Sequence, residues 1–463
     1  MTGATMKGLV APVMAGDLPL DSPLPRLNHH GRYTAARLLV RLHNRPMGEI
    51  VVPLAQRPVT PGQLAEHVWP QIGDRVAKHC AEDGIPPPAR LTAAGLVRLA
   101  EPPCTAGRPA AGRPAITVII ATRDRTGSLL RCLTSLSRLD YPAFDVVVAD
   151  SAPRTETTAR ALAGEQPWPY PLRYVRAARP GLAVAHNTAL AQVTGEIVAI
   201  TDDDVEVDPG WLAALADAFT ESEATCVTGL ILPAELETQA QLLVEQAGGY
   251  GRGFNRRTFR RDMDFPSPLF PFTAGRFGSG ANMAFRAGWL AGSGGFDPAT
   301  GAGTPARGGD DLAAFLRVIT DGGTLVYEPA AVLRHWHRRG YEGMRRLAFG
   351  YGVGLGAYLS SSLCTRPGLL GPMLRRAVPA ARHLLGAGSV RNENRDDRFP
   401  RELVWRERAG FVAGPFAYAA SRRRYRDFRH TGSGAAPALA GTGTAPGTAP
   451  GTGEHSVAAG EAR

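Results

Sequence analysis

The chain has 463 residues and a formal net charge of +10, and its 44% hydrophobic and 20% charged residues are typical of a globular protein. Lysine occurs only at Lys7 and Lys78, which excludes a Walker-type phosphate loop and any lysine Schiff-base chemistry beyond Lys78. We attribute the many Arg, Ala, Gly and Pro residues to a GC-rich genome and expect no nucleic-acid partner.

The five cysteines predict reduced thiols in a cytoplasmic protein, because their number is odd and no two have the C-x-x-C spacing. We therefore expect neither a disulfide framework nor a zinc site from Cys80, Cys104, Cys132, Cys226 and Cys364. The N-terminus lacks the basic and then apolar pattern of a secretory signal peptide. Residues 347–364 are uncharged but rich in Gly and Ser, which makes them a weak candidate for a membrane span.

The N-terminal region predicts a disordered leader at residues 1–29 and a small α+β module at residues 30–98. Apolar and polar residues alternate around a Pro/Gly turn in residues 36–54, a pattern that predicts a β-hairpin. A stretch rich in Pro, Gly and Ala follows at residues 99–114 and predicts a linker.

A helix is predicted directly after the hairpin. Thr60 suits its N-cap and Pro61 its first helical position. Apolar residues recur every four positions and predict one buried face, formed by Leu64, Val68, Ile72 and Val76. Pro70 is expected to kink or split this helix.

Strand-like and helix-like segments alternate throughout residues 115–339. The predicted strands are 116–120, 146–148, 172–175 and 197–200. This alternation predicts an α/β domain with a doubly wound, mostly parallel sheet and flanking helices. Ligands bind beyond the carboxyl ends of the strands in such sheets, so polar residues there should face one crevice. These residues are Thr122, Arg123, Asp124, Arg125, Asp150, Ser151, Asp202, Asp203 and Asp204.

The three consecutive carboxylates that follow the fourth predicted strand need compensation, because like charges repel and ionised carboxylates resist burial. Solvent, a basic partner or a bound cation would each supply it. Asp202 and Asp204 suit a hard divalent cation that bridges a diphosphate. A phosphotransferase of the haloacid-dehalogenase kind is disfavoured, because Glu206 replaces the expected Thr or Val and no downstream lysine exists.

Residues 340–430 predict a helical region, and residues 431–463 a disordered low-complexity tail. An apolar segment flanked by arginines at residues 407–426 suits contact with an anionic membrane surface. A core helix with a basic end is the alternative interpretation of that segment.

Eight segments within residues 115–339 occur in a diagnostic order: "IIATRDR", "VVVADSAP", "RPGLAVAHNTAL", "TDDD", "GANMAFR", "GGFD", "GGDDL" and "RHWH". In this order they resemble the motifs of the family 2 glycosyltransferases, which have the GT-A fold. Three positions depart from the usual pattern: Ala121 stands where proline is frequent, Asp124 where asparagine is, and His186 where arginine is. The resemblance implies a Rossmann-like GT-A domain at residues 115–339.

The resemblance also implies the ligands of this domain. The implied nucleotide-sugar-binding residues are Ala121, Thr122, Arg123, Asp124, Asp150, Asn187, Asp202 and Asp203. The implied residues on the acceptor side are Gly280, Ala281 and Asn282. A divalent cation, Mn²⁺ or Mg²⁺, is implied as the cofactor, with Asp202, Asp204 and His335 as its ligands.

The catalytic base is implied by "GGDDL". Asp311 is the favoured base and Asp310 is the alternative, while simple capping of a helix N-terminus explains the same residues without catalysis. A single base predicts one displacement with inversion at the anomeric carbon.

We predict an inverting, metal-dependent glycosyltransferase. We expect it to be non-processive, because "QxxRW", the mark of many processive polysaccharide synthases, is absent after Arg339 and no clean transmembrane helix is predicted. Its expected partners are a nucleotide diphosphosugar and a hydroxyl acceptor, which is a glycan, a lipid or a small molecule. The expected location is the cytoplasm, with peripheral contact at the inner face of the cell membrane. A non-catalytic binding or scaffold protein that retains the fold is the alternative function.

Overall fold

The computed structural model of the chain describes residues 6–28, 31–54, 58–96, 104, 112–164, 167–263, 265–385, 395 and 398–428. Contacts join Met1–His430 in one unit, which contains the predicted N-terminal module, α/β region and C-terminal helical region. The predicted tail at residues 431–463 and most of the predicted linker at residues 99–114 lie outside the described residues.

Strands and helices alternate along most of the described chain. The strands are β1 (Val13–Pro19), β2 (Ala35–Leu42), β3 (Arg45–Pro53), β4 (Ile116–Thr122), β5 (Phe144–Ser151), β6 (Leu172–Ala177), β7 (Ile197–Asp202), β8 (Val205–Val207), β9 (Ala224–Pro233), β10 (Arg257–Phe259), β11 (Asn282–Arg286) and β12 (Thr324–His335). The helices are α1 (Pro61–Glu82), α2 (Thr126–Leu136), α3 (Thr157–Leu162), α4 (Leu182–Leu190), α5 (Trp211–Glu221), α6 (Gln239–Gln246), α7 (Ala287–Gly292), α8 (Asp310–Thr320), α9 (Tyr341–Thr365), α10 (Leu370–Arg375), α11 (Ala377–Leu385) and α12 (Arg401–Arg424).

The N-terminal sheet has the order β1-β2-β3, with β1 parallel and β3 antiparallel to β2. The predicted hairpin is therefore present as β2 and β3. The predicted disordered leader is wrong over residues 13–19, which form β1. This segment is ordered because its backbone pairs along the open edge of β2 while Leu18 enters the core beneath the sheet.

Helix α1 covers the N-terminal sheet as its sequence pattern predicts. The Thr60 hydroxyl accepts a hydrogen bond from the Gln63 N–H and forms a capping box, with Pro61 in the first turn. The predicted apolar face is buried at Leu64, Val68, Ile72 and Val76. The helix continues through Pro70 as one element, so the proline does not split it.

The large sheet has the order β10-β12-β9-β11-β7-β4-β5-β6, and β8 pairs with β12. Strands β4, β5, β6 and β7 are mutually parallel, which confirms the doubly wound half that the sequence predicts. Strand β11 is antiparallel to both β7 and β9. Strand β11 thereby joins the parallel half to a second half, which contains β9 and β12, and the result is one mixed sheet.

The C-terminal helices α9 and α12 pack against each other through glycines, and the predicted helical region is confirmed. A Cβ atom at Gly352 would lie 1.9 Å from the Glu407 carbonyl oxygen, and one at Gly410 would lie 2.2 Å from the Phe349 oxygen. Among the described helices, α9 is long and apolar enough to cross a membrane, yet half of its most apolar stretch is buried within the protein.

Candidate active site

The predicted metal ligands lie together at the carboxyl end of β7. Asp202 ends this strand, Asp204 lies in the turn before β8, and His335 ends β12. Because β8 pairs with β12, Val205 lies opposite His335 and the turn is held beside the histidine. His335 Nε2 lies 3.3 Å from Asp204 Oδ1, and the three side chains offer ligand atoms within 4.8 Å of one another. Two carboxylates and one imidazole could hold a divalent cation.

The pKa values of the three carboxyl groups in the Asp triplet are shifted in different directions. Burial and the neighbouring Asp204 carboxylate raise the pKa of Asp202. Burial raises the pKa of Asp203 to about 6, although Arg125 opposes this shift. Burial also opposes ionisation of Asp204, but hydrogen bonds to His335 and Arg125 hold its pKa well below the ordinary value. A cation at this cluster would favour the ionised form of both Asp202 and Asp204.

Arg125 is a site residue that the sequence analysis did not assign to the metal cluster. Its Nη1 lies 2.7 Å from Asp203 Oδ1, and its Nη2 donates to Asp204 Oδ2 at 2.7 Å. Asp203 also accepts a hydrogen bond from the Thr122 hydroxyl at 2.7 Å. Asp203 and Arg125 therefore tie the end of β4 to the carboxylate turn.

The predicted nucleotide side of the crevice lies at the ends of β4 and β5. Thr122 pairs with Asp150 in the parallel register of these strands. Asp150 is fully buried, and its Oδ2 accepts a hydrogen bond from the Tyr174 hydroxyl at 3.0 Å. Its Oδ1 has no hydrogen-bond partner among the described residues, and burial raises the pKa of this carboxyl. Asp124 has a φ of 53° and accepts a hydrogen bond from the Arg154 N–H at 2.9 Å.

Three further predicted site residues frame the crevice by position. Ala121 is buried and pairs with Asp202 in the sheet register. Arg123, directly beyond β4, has a side chain that is 37% exposed. Ala281 is buried, and its carbonyl oxygen accepts a hydrogen bond from the Thr201 hydroxyl at 2.8 Å.

Two predicted ligand-binding asparagines have different roles in the structure. The amide group of Asn187 donates to the Phe296 carbonyl at 2.7 Å and accepts from the Phe296 N–H at 2.8 Å. Asn282 is fully buried, donates to the Ala331 carbonyl at 2.8 Å and accepts from the Trp211 indole at 2.9 Å. Both amides therefore bond to protein groups and hold neighbouring loops and strands in place.

The two carboxylates of "GGDDL" begin α8 and point to different surroundings. Asp311 Oδ2 accepts a hydrogen bond from the Gly280 N–H at 2.9 Å, and Oδ1 accepts one from the Leu312 N–H at 2.8 Å. Asp310 is 5% exposed and lies 3.9 Å from Nδ1 of the buried His186. Burial raises the pKa of both carboxyl groups, and repulsion from Asp311 raises that of Asp310 further.

The start of α8 requires glycine at its N-cap. Gly309 has a φ of 90°, in the left-handed region, and a Cβ atom there would lie 2.6 Å from the Gly354 carbonyl oxygen of α9. The close approach of α9 therefore holds the N-terminus of α8, where Asp310 and Asp311 are the first two residues.

A buried chain of hydrogen bonds connects His335 to the N-terminal module. His335 Nδ1 lies 3.0 Å from His337 Nδ1, and His337 Nε2 lies 2.8 Å from Glu245 Oε1. Glu245 Oε2 accepts from Arg37 of β2 at 2.7 Å, and Arg37 also donates to Glu49 at 2.7 Å. These hydrogen bonds orient the imidazole of His335 towards the turn that contains Asp204.

The sequence analysis assigned no role to His337, although the H-x-H spacing in "RHWH" places both histidines on the same side of an extended segment. The ring of Tyr250 packs against both histidines, at centroid distances of 5.0 Å to His335 and 5.4 Å to His337. Nothing in the local sequence marks Tyr250 as part of this cluster.

Residues 117–290 match the sequence profile described as Glycosyl transferase family 2. Through this region the chain is similar to the family 2 glycosyltransferases. The matched residues contain the Asp triplet, Asp150, Gly280 and the strands that bring them together. The match stops before α8, so Asp310 and Asp311 lie outside it.

Two curated proteins that are similar to this chain come from bacteria. The pre-mycofactocin glycosyltransferase of Mycobacterium tuberculosis is 27% identical over 226 residues, which are 48% of this chain and 43% of the relative. The succinoglycan biosynthesis protein ExoM of Rhizobium meliloti is 31% identical over 116 residues, which are 25% of this chain and 37% of the relative. The chain thus spans less than half the length of these relatives.

Solved glycosyltransferase structures are also similar to this chain. The mannosyltransferase PcManGT from Pyrobaculum calidifontis, in complex with GDP-Man and Mn²⁺, is 23% identical with a TM-score of 0.39, over 68% of this chain and 76% of that one. S. aureus TarS 1-349 in complex with UDP-GlcNAc is 14% identical with a TM-score of 0.36, over 68% of this chain and 93% of that one.

Proposed function

We propose that this family 2 glycosyltransferase transfers a sugar from a nucleotide diphosphosugar to an acceptor hydroxyl, with inversion and with a divalent cation. The observation that carries this proposal is the convergence of Asp202, Asp204 and His335 within 4.8 Å at the edge of the sheet where Asp150 also lies.

In this proposal each carboxylate has one role. The cation, held by Asp202, Asp204 and His335, would neutralise the departing diphosphate. Asp150 would accept hydrogen bonds from the nucleoside through its unpartnered Oδ1. Asp311 would remove the proton from the acceptor hydroxyl as it attacks the anomeric carbon.

The geometry of Asp311 supports the role of base. Backbone N–H groups of Gly280 and Leu312 hold its two oxygens in place, and burial raises its pKa although these two hydrogen bonds oppose the shift. Asp310, which is more deeply enclosed beside His186, would shape this site without touching the acceptor.

The proposed acceptor is a glycan, lipid or small-molecule hydroxyl of the cell envelope or of a polysaccharide. The proposed location is the cytoplasm at the inner face of the membrane. Exposed apolar side chains on the C-terminal helices support peripheral contact, and they include Leu370, Leu374, Val378, Trp405, Val412 and Phe416. Arginines 422–424 follow on the same helix as the last three of these residues.

A screen of UDP-, GDP- and dTDP-sugars for thermal stabilisation, with and without Mn²⁺, tests the donor class. We expect one nucleotide sugar to raise the melting temperature only when Mn²⁺ is present, because a ligand of the native state stabilises it by mass action. That donor should then be hydrolysed or transferred, and EDTA should stop the reaction.

Two variants test whether donor binding and turnover depend on the cluster of Asp202, Asp204 and His335. Asp204→Asn should lose both stabilisation by the donor and turnover, whereas Glu206→Gln, which lies outside the cluster, should retain both. Full activity in excess EDTA would refute the metal assignment. Donor binding without any hydrolysis or transfer would favour the alternative, a non-catalytic binding or scaffold protein.

A further inference from the structure

A second cluster of metal-ligand side chains lies in the N-terminal module, away from the sugar-transfer site. His43, His79, Asp83 and Cys104 each present one ligand atom, and these atoms all lie within 4.8 Å of one another. The atoms are His43 Nδ1, His79 Nε2, Asp83 Oδ2 and Cys104 Sγ. The two histidine nitrogens are 3.1 Å apart, and the sulfur lies 3.4 Å and 3.5 Å from them.

The remaining distances complete a tetrahedron. Asp83 Oδ2 lies 3.6 Å from the His43 nitrogen and 3.3 Å from the His79 nitrogen. With metal–nitrogen and metal–sulfur bonds of about 2.0 Å and 2.3 Å, the ligand atoms of a tetrahedral zinc site lie about 3.3–3.7 Å apart. Five of the six edges are within a few tenths of an ångström of that range. The sixth, 2.7 Å between the Cys104 sulfur and Asp83, has the length of a thiol–carboxylate hydrogen bond.

Three different elements bring these ligands together. His43 lies in the turn between β2 and β3, where it adopts a φ of 51°, an unusual conformation for a residue other than glycine. His79 and Asp83 are four residues apart, in the last turn and at the C-cap of α1, and so face the same side. Cys104 comes from the segment that leads from the module towards β4.

Burial and charge also suit a closed metal site. The side chains of His43, His79 and Asp83 are at most 9% exposed. Two imidazoles, a carboxylate and a thiol face one another in this largely buried space. One thiolate and one carboxylate balance the charge of a divalent cation, so a neutral and fully coordinated centre results.

We propose that His43, His79, Asp83 and Cys104 bind a structural Zn²⁺. Binding forms a bond from zinc to each of the four ligand atoms and breaks the Cys104 S–H bond, and the thiol proton passes to solvent. All four positions are taken by protein atoms, as in structural rather than catalytic zinc sites. The ion fastens the hairpin turn and the end of α1 to the segment that enters the glycosyltransferase domain.

The metal content of the full-length protein tests this proposal. After incubation with Zn²⁺ and removal of the excess, we expect about one equivalent more zinc in the wild-type chain than in Cys104→Ser. The matched control is Cys364→Ser, which removes an exposed thiol and should leave the zinc content unchanged. Asp204→Asn should also retain this zinc, which separates it from any metal at the sugar-transfer site.

Replacement of zinc by Co²⁺ allows the geometry of the site and its thiolate ligand to be detected by absorption spectroscopy. We expect the intense visible absorption of tetrahedral cobalt and a thiolate-to-cobalt charge-transfer band in the near ultraviolet, and the band should be absent from Cys104→Ser. Equal zinc content in wild type and Cys104→Ser, with no charge-transfer band in the wild type, would overturn the proposal.

A measurement on the folded Cys364→Ser protein covers the case in which ligand variants fail to fold. Cys80, Cys132 and Cys226 are buried, so Cys104 is then the one thiol that is partly exposed. We expect a thiol-alkylating reagent to modify Cys104 slowly in the zinc-loaded protein and at least tenfold faster after a chelator removes the ion. Identical rates in both states would contradict zinc binding by this thiol.

Discussion

The carboxylates at the start of α8 differ by how their oxygens are held. Asp311 is fixed by two backbone N–H groups, one from Gly280 and one from its own helix, and so has a single defined direction. Asp310 has the buried His186 as a neighbour at 3.9 Å, and the ring nitrogens of this histidine have no hydrogen-bond partner among the described residues. The pair therefore has distinguishable roles that substitution can separate.

Replacement of Asp311 by Asn should lower turnover about 10²–10⁴-fold, the usual effect of removing a general base. The affinity for the nucleotide sugar should remain nearly intact, because the donor does not need the base. Steady-state kinetics together with calorimetric titration of the donor would measure the two effects separately. Asp310→Asn is the matched variant and should slow turnover less. A larger effect of Asp310→Asn would reverse the two roles, and no effect of either would leave only a helix cap.

The N-terminal module is connected through α6 to His335 of the candidate active site. Arg37 of β2 pairs with Glu245 of α6, and Glu245 holds His337, which contacts His335. Burial opposes ionisation of Glu245, but Arg37 and His337 outweigh it and lower the pKa of this carboxyl to about 2. A small module that appears separate in the sequence thus supports a ligand of the proposed cation.

The lowered pKa of Glu245 predicts an acid-sensitive contribution to stability. A carboxyl whose pKa is lower in the folded state stabilises the fold above its unfolded pKa, about 4.5, and this stabilisation is lost as the pH falls towards about 2. The melting temperature of the wild type should therefore fall more steeply across this window than that of Glu245→Gln. Glu82→Gln, at an exposed position of α1, is the control and should keep the wild-type slope. Parallel curves for Glu245→Gln and wild type would contradict this role.

The pairing of α9 with α12 depends on glycines at close contacts. Gly352 faces the Glu407 carbonyl of α12, and a Cβ atom there would meet the oxygen at 1.9 Å. Gly350, two residues earlier in the same helix, would carry a Cβ atom with nothing within 4 Å. The two positions form a matched pair. Replacing either glycine by alanine changes helix propensity equally, but only Gly352 contacts α12.

Gly352→Ala should lower the free energy of unfolding by about 1–3 kcal/mol, because the new methyl group forces the helices apart. Gly350→Ala should instead raise it by up to about 1 kcal/mol, the helix-propensity advantage of alanine. Urea denaturation followed by circular dichroism would measure both. A neutral Gly352→Ala would show that α12 can shift away at little cost.

On the scale of the whole molecule, two groups of exposed apolar side chains lie on the C-terminal helices. Leu370, Leu374 and Val378 are 51%, 65% and 63% exposed, on α10 and α11. Trp405, Val412 and Phe416 on α12 are exposed as well and recur at helical spacing, a pattern suited to a membrane surface. Deletion of α12 would also remove the partner of α9, so single substitutions test this surface better.

Phe416→Glu should weaken binding to vesicles that contain anionic lipids, because it places a negative charge where an apolar ring, 75% exposed, would enter the interface. Cosedimentation at low and high salt would measure the effect. Val10→Glu, at a position that is 53% exposed in the N-terminal segment, should bind as the wild type does. A wild-type protein that stays wholly unbound at low salt would exclude the membrane proposal.

The sequence alone determined the features that depend on neighbours in the chain. Alternating strands and helices predicted the parallel half of the sheet, and Thr60, Pro61 and the four-residue apolar repeat predicted α1. The Asp triplet was found for the same reason, since a buried strand that ends in carboxylates is a local pattern. Parallel strands share one carboxyl edge, so these local patterns were enough to predict that Asp150 and Asp202 lie in one crevice.

Only the tertiary structure decided which distant side chains meet. Asn187 and Asn282 matched the motifs, yet their amides are taken by the backbones and side chains of other elements. β1 formed in a segment that reads as disordered, because the free edge of β2 pairs with its backbone. Cys104 and His43 carry no recognisable ligand spacing, and they meet because a hairpin turn, a helix end and an incoming segment converge. Such contacts depend on the order of strands and the direction of side chains, which the pattern of any one segment does not contain.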